Sequence, residues 1–228
     1  MKTTQLTHKD VLAMLPDRRT DAHKGDFGKI LMLCGSRGYT GAAALAAMGA
    51  LRCGAGLVYL GVPESIYAIE AVKLTEAIVF PLPDIDGKMS EAAFDSVKEL
   101  LPEMDAVLIG PGMGCSDSTF AVTKQVLESY TGTVILDADG INVMRGHIDI
   151  LRERTGTTIL TPHEGEFIRA GGILGGSRLD SAAEFSEKTG AIVLLKGHNT
   201  VITDGNECYL NTTGNPGMAV GGSGDVLA

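Results

Sequence analysis

Residues Ala106 to Leu136 read AVLIGPGMGCSDSTFAVTKQVLESYTGTVIL. Ala106 to Ile109 is a run without charge, which suits a strand buried on both faces. The turn Gly110-Pro111-Gly112-Met113-Gly114 stops it, a helix is predicted from about Ser116 to Tyr130, and a second apolar run extends from Thr133 to Leu136. Strand, helix and strand in this order make a βαβ unit, whose strands lie parallel. The glycine turn is not a dinucleotide fingerprint, because its third glycine falls one residue early.

The same alternation recurs on both sides. Towards the amino end, Ile30 to Cys34 predicts a strand, stopped by Gly35-Ser36-Arg37-Gly38, and Thr40 to Gly54 an alanine-rich helix with Thr40 as its cap. Leu57 to Val62 is a strand ended by Pro63, Glu64 to Val72 a helix, and Ala77 to Phe80 a short strand running into a loop from Pro81 to Gly87. Ser90 to Leu101 has helical periodicity, with Ser90 as cap and Pro102 beyond its end. Ahead of these, Leu6 to Leu15 reads as an amphipathic helix closed by Pro16, and Arg18, Arg19, His23, Lys24 and Lys29 form the most basic neighbourhood.

Towards the carboxyl end, Thr157 to Leu160 is a strand leading into Thr161-Pro162-His163-Glu164-Gly165-Glu166. Ser181 to Gly190 is helical, Ala191 to Leu195 is a strand before Lys196-Gly197-His198-Asn199-Thr200, and Val201 to Thr203 with Glu207 to Asn211 forms a hairpin across Asp204-Gly205-Asn206. Strands alternate with helices about six times. The expectation is an α/β fold, a mostly parallel sheet with helices on both faces and a ligand crevice along its carboxyl edge, where these glycine turns fall.

With 228 residues and 44% hydrophobic content the chain is expected to form one domain, residues 1–228. Its formal charge of −9 argues against nucleic acid or an anionic membrane, because both demand a basic surface. Cys34, Cys53, Cys115 and Cys208 show no CxxC pairing and lie in or beside apolar segments, so buried thiols in a reducing cytosol are expected. A polar start, and no run of eighteen apolar residues, predict a soluble, cytoplasmic protein.

The chemistry is expected in the last fifteen residues, Gly214 to Ala228, GNPGMAVGGSGDVLA. Gly221, Gly222, Ser223 and Gly224 let main-chain N–H groups close on an anion at a helix start. Asp225 comes next, on the first turn, and a carboxylate among anion-binding amides suits a base acting on a hydroxyl beside a phosphate. A glycine-rich turn before an acid that merely caps a helix is the plain alternative. Asp137, Asp139 and Asn142 end another strand, where one of the two acids can serve the water shell of a Mg²⁺ ion, or Asp139 can cap a helix while Asp137 faces solvent. His163-Glu164-Gly165-Glu166-Phe167 is not a zinc motif, since Phe167 stands where a second histidine is needed.

Asn215-Pro216-Gly217-Met218-Ala219 followed by Gly221-Gly222-Ser223-Gly224-Asp225 resembles the anion-hole and catalytic-base signature of the ribokinase-like superfamily. Within it the chain, from about residue 10, is similar to the ADP- or ATP-dependent NAD(P)H-hydrate dehydratases, with His23-Lys24-Gly25, the 110–114 turn, Thr161-Pro162-His163 and Lys196-Gly197 in the same order. The resemblance implies dehydration of the S-form of hydrated NADH or NADPH, by phosphorylation of a ring hydroxyl and elimination of phosphate. It implies Asp225 as base, and Ala42, Ala43, Gly112, Gly114, His163 and Asp225 against the substrate. Lys196, Gly197, His198, Asn199, Thr200, Gly222, Ser223 and Gly224 are implied to bind ADP or ATP, and Asp137 with Glu164 or Glu166 to hold Mg²⁺ through water. It also implies a homo-oligomer. The family's chains continue for several helices past this motif, so the sequence is expected to lack its C-terminal helices. A small-molecule kinase acting on a vitamin-precursor alcohol and an inactive dinucleotide-binding fragment are the competing expectations.

Overall fold

A computed structural model describes residues 2–228. The chain opens with β1 (Lys2–Gln5) and α1 (His8–Met14), a helix started by a reciprocal capping box between Thr7 and Asp10. Then come β2 (Lys29–Leu33), α2 (Thr40–Cys53), β3 (Leu57–Pro63), α3 (Glu64–Lys73), β4 (Ile78–Leu82), a small hairpin of β5 (Asp84–Ile85) and β6 (Lys88–Met89), and the short α4 (Ala93–Val97). The second half runs β7 (Ala106–Ile109), α5 (Asp117–Ser129), β8 (Thr133–Leu136), α6 (Asp139–Asn142), β9 (Thr158–Leu160), α7 (Glu164–Arg169), α8 (Arg178–Thr189), β10 (Ile192–Leu195), β11 (Thr200–Thr203), β12 (Glu207–Asn211) and α9 (Ser223–Leu227). Ser116 caps α5 through its box with Thr119, and Gly54 and Gly190 end α2 and α8 in the left-handed conformation that suits glycine.

One sheet carries ten strands in the order β1-β12-β11-β10-β9-β8-β7-β2-β3-β4. From β10 to β4 all neighbours are parallel, and β11 is antiparallel to both its partners. The chain starts this parallel stretch at β2, moves outward through β3 and β4, then returns to β2's other side and proceeds through β7, β8, β9 and β10. The reversal leaves a switch point between β2 and β7, where loops leave in opposite directions and open a crevice at the carboxyl edge.

Alternating side chains decide which layer covers which face. Leu31 and Leu33 of β2, Val107 and Ile109 of β7 and Val134 and Leu136 of β8 enter one core with α4, α5 and α8. Met32, Cys34 and Leu108 point the other way and join Val58, Leu60, Ile66 and the alanines of α2. Each face therefore reads as nearly continuous aliphatic burial. On that second face, further along the sheet, Ile135, Ile159, Ile192, Leu194 and Ile202 remain half-buried while Val134, Leu136, Leu160, Val193 and Leu195 beside them are sealed. No helix among the described residues is long and apolar enough to cross a membrane.

Several local expectations need correction. The predicted helix from Ser90 to Leu101 is a five-residue α4 plus a 3₁₀ turn at Leu101–Glu103, because Ser90 spends its hydroxyl on the carbonyl of Pro83 at 3.1 Å instead of capping. Thr40 is the first residue of α2, and Tyr39 occupies the cap position without a side-chain bond. β1, not expected from the sequence, adds to the edge of the sheet beside β12, and the loop from Pro81 contains the end of β4 and the β5–β6 hairpin. Cys34 and Cys208 are buried as expected, but Cys53 and Cys115 are exposed.

Candidate active site

The carboxyl ends of β2, β7, β8 and β9 are level, since Leu33 pairs with Ile109, Ile109 with Leu136 and Leu136 with Leu160. The loops leaving these four strands therefore meet on one rim. Gly35 donates its N–H to the Pro111 carbonyl at 2.8 Å, and the Ser36 hydroxyl donates to the Gly112 carbonyl at 2.7 Å, tying together the two loops of the switch point. Gly112 has φ +63, and a Cβ there would come within 2.8 Å of the Ala42 methyl, so the glycine lets the first turn of α2 close on this loop. Gly114 donates its N–H to Asp139 at 2.9 Å, which pins the other end of the turn.

Beside it, Asp137 is buried at 2% side-chain exposure, and its Oδ1 accepts from the Lys196 ammonium at 2.8 Å and the Thr161 hydroxyl at 2.6 Å. A charge so far from water requires such partners. The turn that aims it is unusual. The Gly140 N–H bonds to the Asp137 carbonyl at 2.9 Å across Ala138, whose φ of 47° and ψ of −114° belong to a conformation normally left to glycine. Glu166, also buried, accepts from the His163 N–H at 2.9 Å and lies 3.8 Å from the Lys196 ammonium.

α9 brings Asp225 to the same place. Its N-cap, Gly222, has φ 90° and sits on Leu45 of α2, and a Cβ on Gly49 would meet the Val226 carbonyl at 2.8 Å, so the two small residues let α9 lie directly on α2. A Cβ at Gly224 would stand 3.9 Å from the Lys196 ammonium. The Asp225 carboxyl is raised above its ordinary range by burial and then by the charge of Asp137, with Lys196 opposing. The Cys34 thiol, at the end of β2, is pushed well above its ordinary value by burial and by the same two acids. Cys34, Asp137, Lys196 and Asp225 thus share one electrostatic neighbourhood, in which the charges of Asp137 and Lys196 act on the Asp225 carboxyl. A carboxyl so placed is a competent proton acceptor with a cation beside it.

Not every residue singled out from the sequence reaches the rim in the expected way. Ala43 has its methyl buried in the core under α2, whereas Ala42 is half-exposed against Gly112. His163 is the N-cap of α7, with Nδ1 accepting from Gly165 at 2.9 Å, and its outer face is open. Glu164 turns away to within 3.0 Å of the Arg178 guanidinium. Asp137, Glu164 and Glu166 therefore do not assemble, and among the described residues no group of three His, Cys, Asp or Glu side chains is placed to hold a metal directly. Asp139 is the first residue of α6, and its carboxylate serves the Gly114 turn instead of capping.

Arg178 has no signal in the sequence. It donates to the carbonyls of Leu195, Lys196, His198 and Asn199 at 2.9 to 3.3 Å and so shapes the Gly197 to Thr200 turn. Thr161 is likewise visible only once β8 and β9 are adjacent. A cavity of about 570 Å³ lined by Arg18, Phe27, Cys53 and Gly54 lies at the opposite, amino ends of β2 and β3. Arg18, one of its walls, stacks on Phe27 at 3.9 Å.

Fold and rim together define a ribokinase-like α/β protein. A ribokinase-like superfamily structure from Enterococcus faecalis superposes with a TM-score of 0.86 at 26% identity, covering 99% of this chain and 77% of that one. The family model of the NAD(P)H-hydrate dehydratases matches residues 30–228, and the chain belongs to that family. The ADP/ATP-dependent NAD(P)H-hydrate dehydratase of Bacillus subtilis, co-crystallised with ATP and Mg²⁺, is similar at 34% identity with a TM-score of 0.83, over 100% of this chain and 79% of that one. A bifunctional NAD(P)H-hydrate repair enzyme of Moorella thermoacetica is 41% identical over 222 residues, which are 94% of this chain and 42% of the relative. The chain thus spans under half the length of the curated relatives it matches.

Proposed function

We propose that this chain restores NADH and NADPH from their hydrated forms, using ADP or ATP as phosphoryl donor. The reading is carried by the coupling of Asp225 to Asp137 and Lys196 beside the glycine-rich start of α9. Family membership and the ATP and Mg²⁺ of the Bacillus subtilis relative support it. Asp225 takes the proton of the ring hydroxyl, whose oxygen attacks the terminal phosphorus of the nucleotide as the bond to the departing AMP or ADP breaks. The ring C–O bond then breaks with its electron pair leaving on phosphate, while the adjacent ring carbon gives up a proton, which the phosphate takes, and the ring regains its double bond. Hydrate and ADP give NADH, AMP and phosphate, with every atom accounted for. Main-chain N–H groups of Gly222 to Asp225 face the charge on the moving phosphoryl group, and Lys196 with the Gly197, His198, Asn199 and Thr200 turn holds the nucleotide.

The donor set fits a magnesium ion bound mainly by phosphates and water. Asp137 is engaged on one oxygen by Lys196 and Thr161, Glu166 by the His163 N–H, and Mg²⁺ commonly takes few direct carboxylates. When present with the nucleotide it neutralises phosphate charge, and Asp137 and Glu166 would orient its waters. The partners are read as small molecules, since a net charge of −9 offers nucleic acid no counterion release. Association of copies is proposed from the family resemblance, and light scattering reads it.

The deciding experiment incubates the protein with hydrated NADH, Mg²⁺ and either ADP or ATP. Recovery of dihydronicotinamide absorbance with release of phosphate is expected. No recovery with both nucleotides overturns the reading, and accumulation of a stable phosphorylated product instead would mark a kinase.

A further inference from the structure

One buried carboxyl lies outside this chemistry. Glu70 of α3 has a fully buried side chain, its Oε1 lies 3.1 Å from the Lys73 ammonium, and its Oε2 has no hydrogen-bond partner. Lys73 extends on to the hydroxyl of Thr40, the first residue of α2, at 2.8 Å. Burial raises the Glu70 carboxyl and Lys73 opposes the rise.

Two features of this chain are electrostatically unfavourable. A cation at the amino end of a fourteen-residue helix stands in the wrong field, and a carboxylate with one bare oxygen is poorly compensated for leaving water. Joining α2 to α3 does not demand either, because an apolar pair of similar volume holds helices together at least as well. The effect falls on Thr40. Its oxygen accepts from Lys73, so its own proton is directed elsewhere, and among the described residues that proton meets no acceptor. A hydroxyl polarised by a cation is a stronger donor. Thr40 is half-buried and stands two residues before Ala42, which abuts the Gly112 turn on the rim.

We infer that Thr40 contacts substrate, donating its hydroxyl to a phosphate oxygen of the hydrated dinucleotide, with Lys73 and Glu70 as the residues that position it. This rests on the proposed dehydratase reading. The reacting ring belongs beside Asp225, and a dinucleotide must be held elsewhere along its length as well. The α2 side of the switch point offers a hydroxyl with a free proton and a lysine whose side chain is one-third exposed, which complement an anion.

Calorimetric titration with hydrated NADH, without nucleotide or metal, tests this separately from turnover. Thr40→Val is expected to weaken binding about tenfold to a hundredfold, the usual effect of losing a charge-assisted hydrogen bond, with melting temperature and Mg–ADP affinity unchanged. Thr40→Ser should restore wild-type affinity. The double variant Glu70→Met with Lys73→Met should melt no lower than wild type and still bind weakly. Wild-type affinity in Thr40→Val, or weakening in both variants that merely tracks a lowered melting temperature, overturns the inference. Wild-type protein that binds no hydrated NADH overturns the substrate reading itself, and this inference with it.

Discussion

The Lys196 ammonium stands 2.8 Å from Oδ1 of Asp137, across 59 residues of sequence, and it is the cation that partners this carboxylate under the rim. Removing it leaves Asp137 and Glu166 buried without their cation. Lys196→Met is expected to lower stability by about 3–5 kcal/mol, as breaking a buried pair does, read from the urea midpoint. Asp137→Asn combined with Lys196→Met should cost less than the two single changes together, because the second removes the charge the first abandoned.

Asp225 must be ionised to accept a proton, and burial with Asp137 nearby holds its carboxyl above the ordinary range. Activity should therefore fall on the acid side at a pH higher than an exposed aspartate would give. Lys196 works against that rise, so the acid limb of kcat/KM should move to higher pH in Lys196→Met. Asp225→Asn is expected to bind nucleotide normally and lose about 10²- to 10⁴-fold in turnover; unchanged kcat would remove Asp225 from the mechanism.

Ala138 keeps a backbone conformation suited to glycine, with φ 47°. Ala138→Gly relieves a strain of about 1–3 kcal/mol and adds about 0.5–1 kcal/mol of unfolded-state freedom. A net gain of roughly 1 kcal/mol should appear as a higher thermal midpoint. A lower one would show that the turn is unstrained.

Gly110 has the opposite requirement. A Cβ there would lie 1.8 Å from the Asp137 carbonyl oxygen, and φ is +134°. Gly110→Ala must push the Asp137–Gly140 turn outward, at a cost of at least about 2–3 kcal/mol. The urea midpoint should drop accordingly, and the acid limb of activity should shift as Asp137 moves.

Glu70 gives a pH dependence to stability. Its raised carboxyl means the folded protein binds more proton than the unfolded chain between the ordinary glutamate value and the raised one. Stability contributed by this group should fall as pH increases through that window. Glu70→Gln should flatten the slope in chemical denaturation curves taken across it.

Much of this architecture is legible in the sequence. Short aliphatic runs ended by glycine turns mark the parallel strands, and the Ser116 box and Gly54 mark helix ends, because these are signals of a few adjacent residues. Asp225, Lys196 and Asp137 can be picked out since each ends a strand or opens a helix. Their mutual distances cannot, for these depend on strand order, and β7 pairing with β2 is a fact about topology. Arg178 is the sharpest omission: it lies in a helix, yet acts on carbonyls from seventeen residues onward, with no local pattern to announce it. Ser90 misleads because a serine ahead of a periodic stretch can satisfy a distant carbonyl as readily as a helix start.

The half-sealed row formed by Ile135, Ile159, Ile192, Leu194 and Ile202 has a consequence for handling. Branched aliphatics in register across adjacent strands form a continuous, half-buried ridge. Sulfate and phosphate strengthen the drive to hide such a ridge, whereas urea at sub-denaturing concentration weakens it. Precipitation thresholds in ammonium sulfate should accordingly respond to this strip, and one lysine placed at Ile159 should raise them.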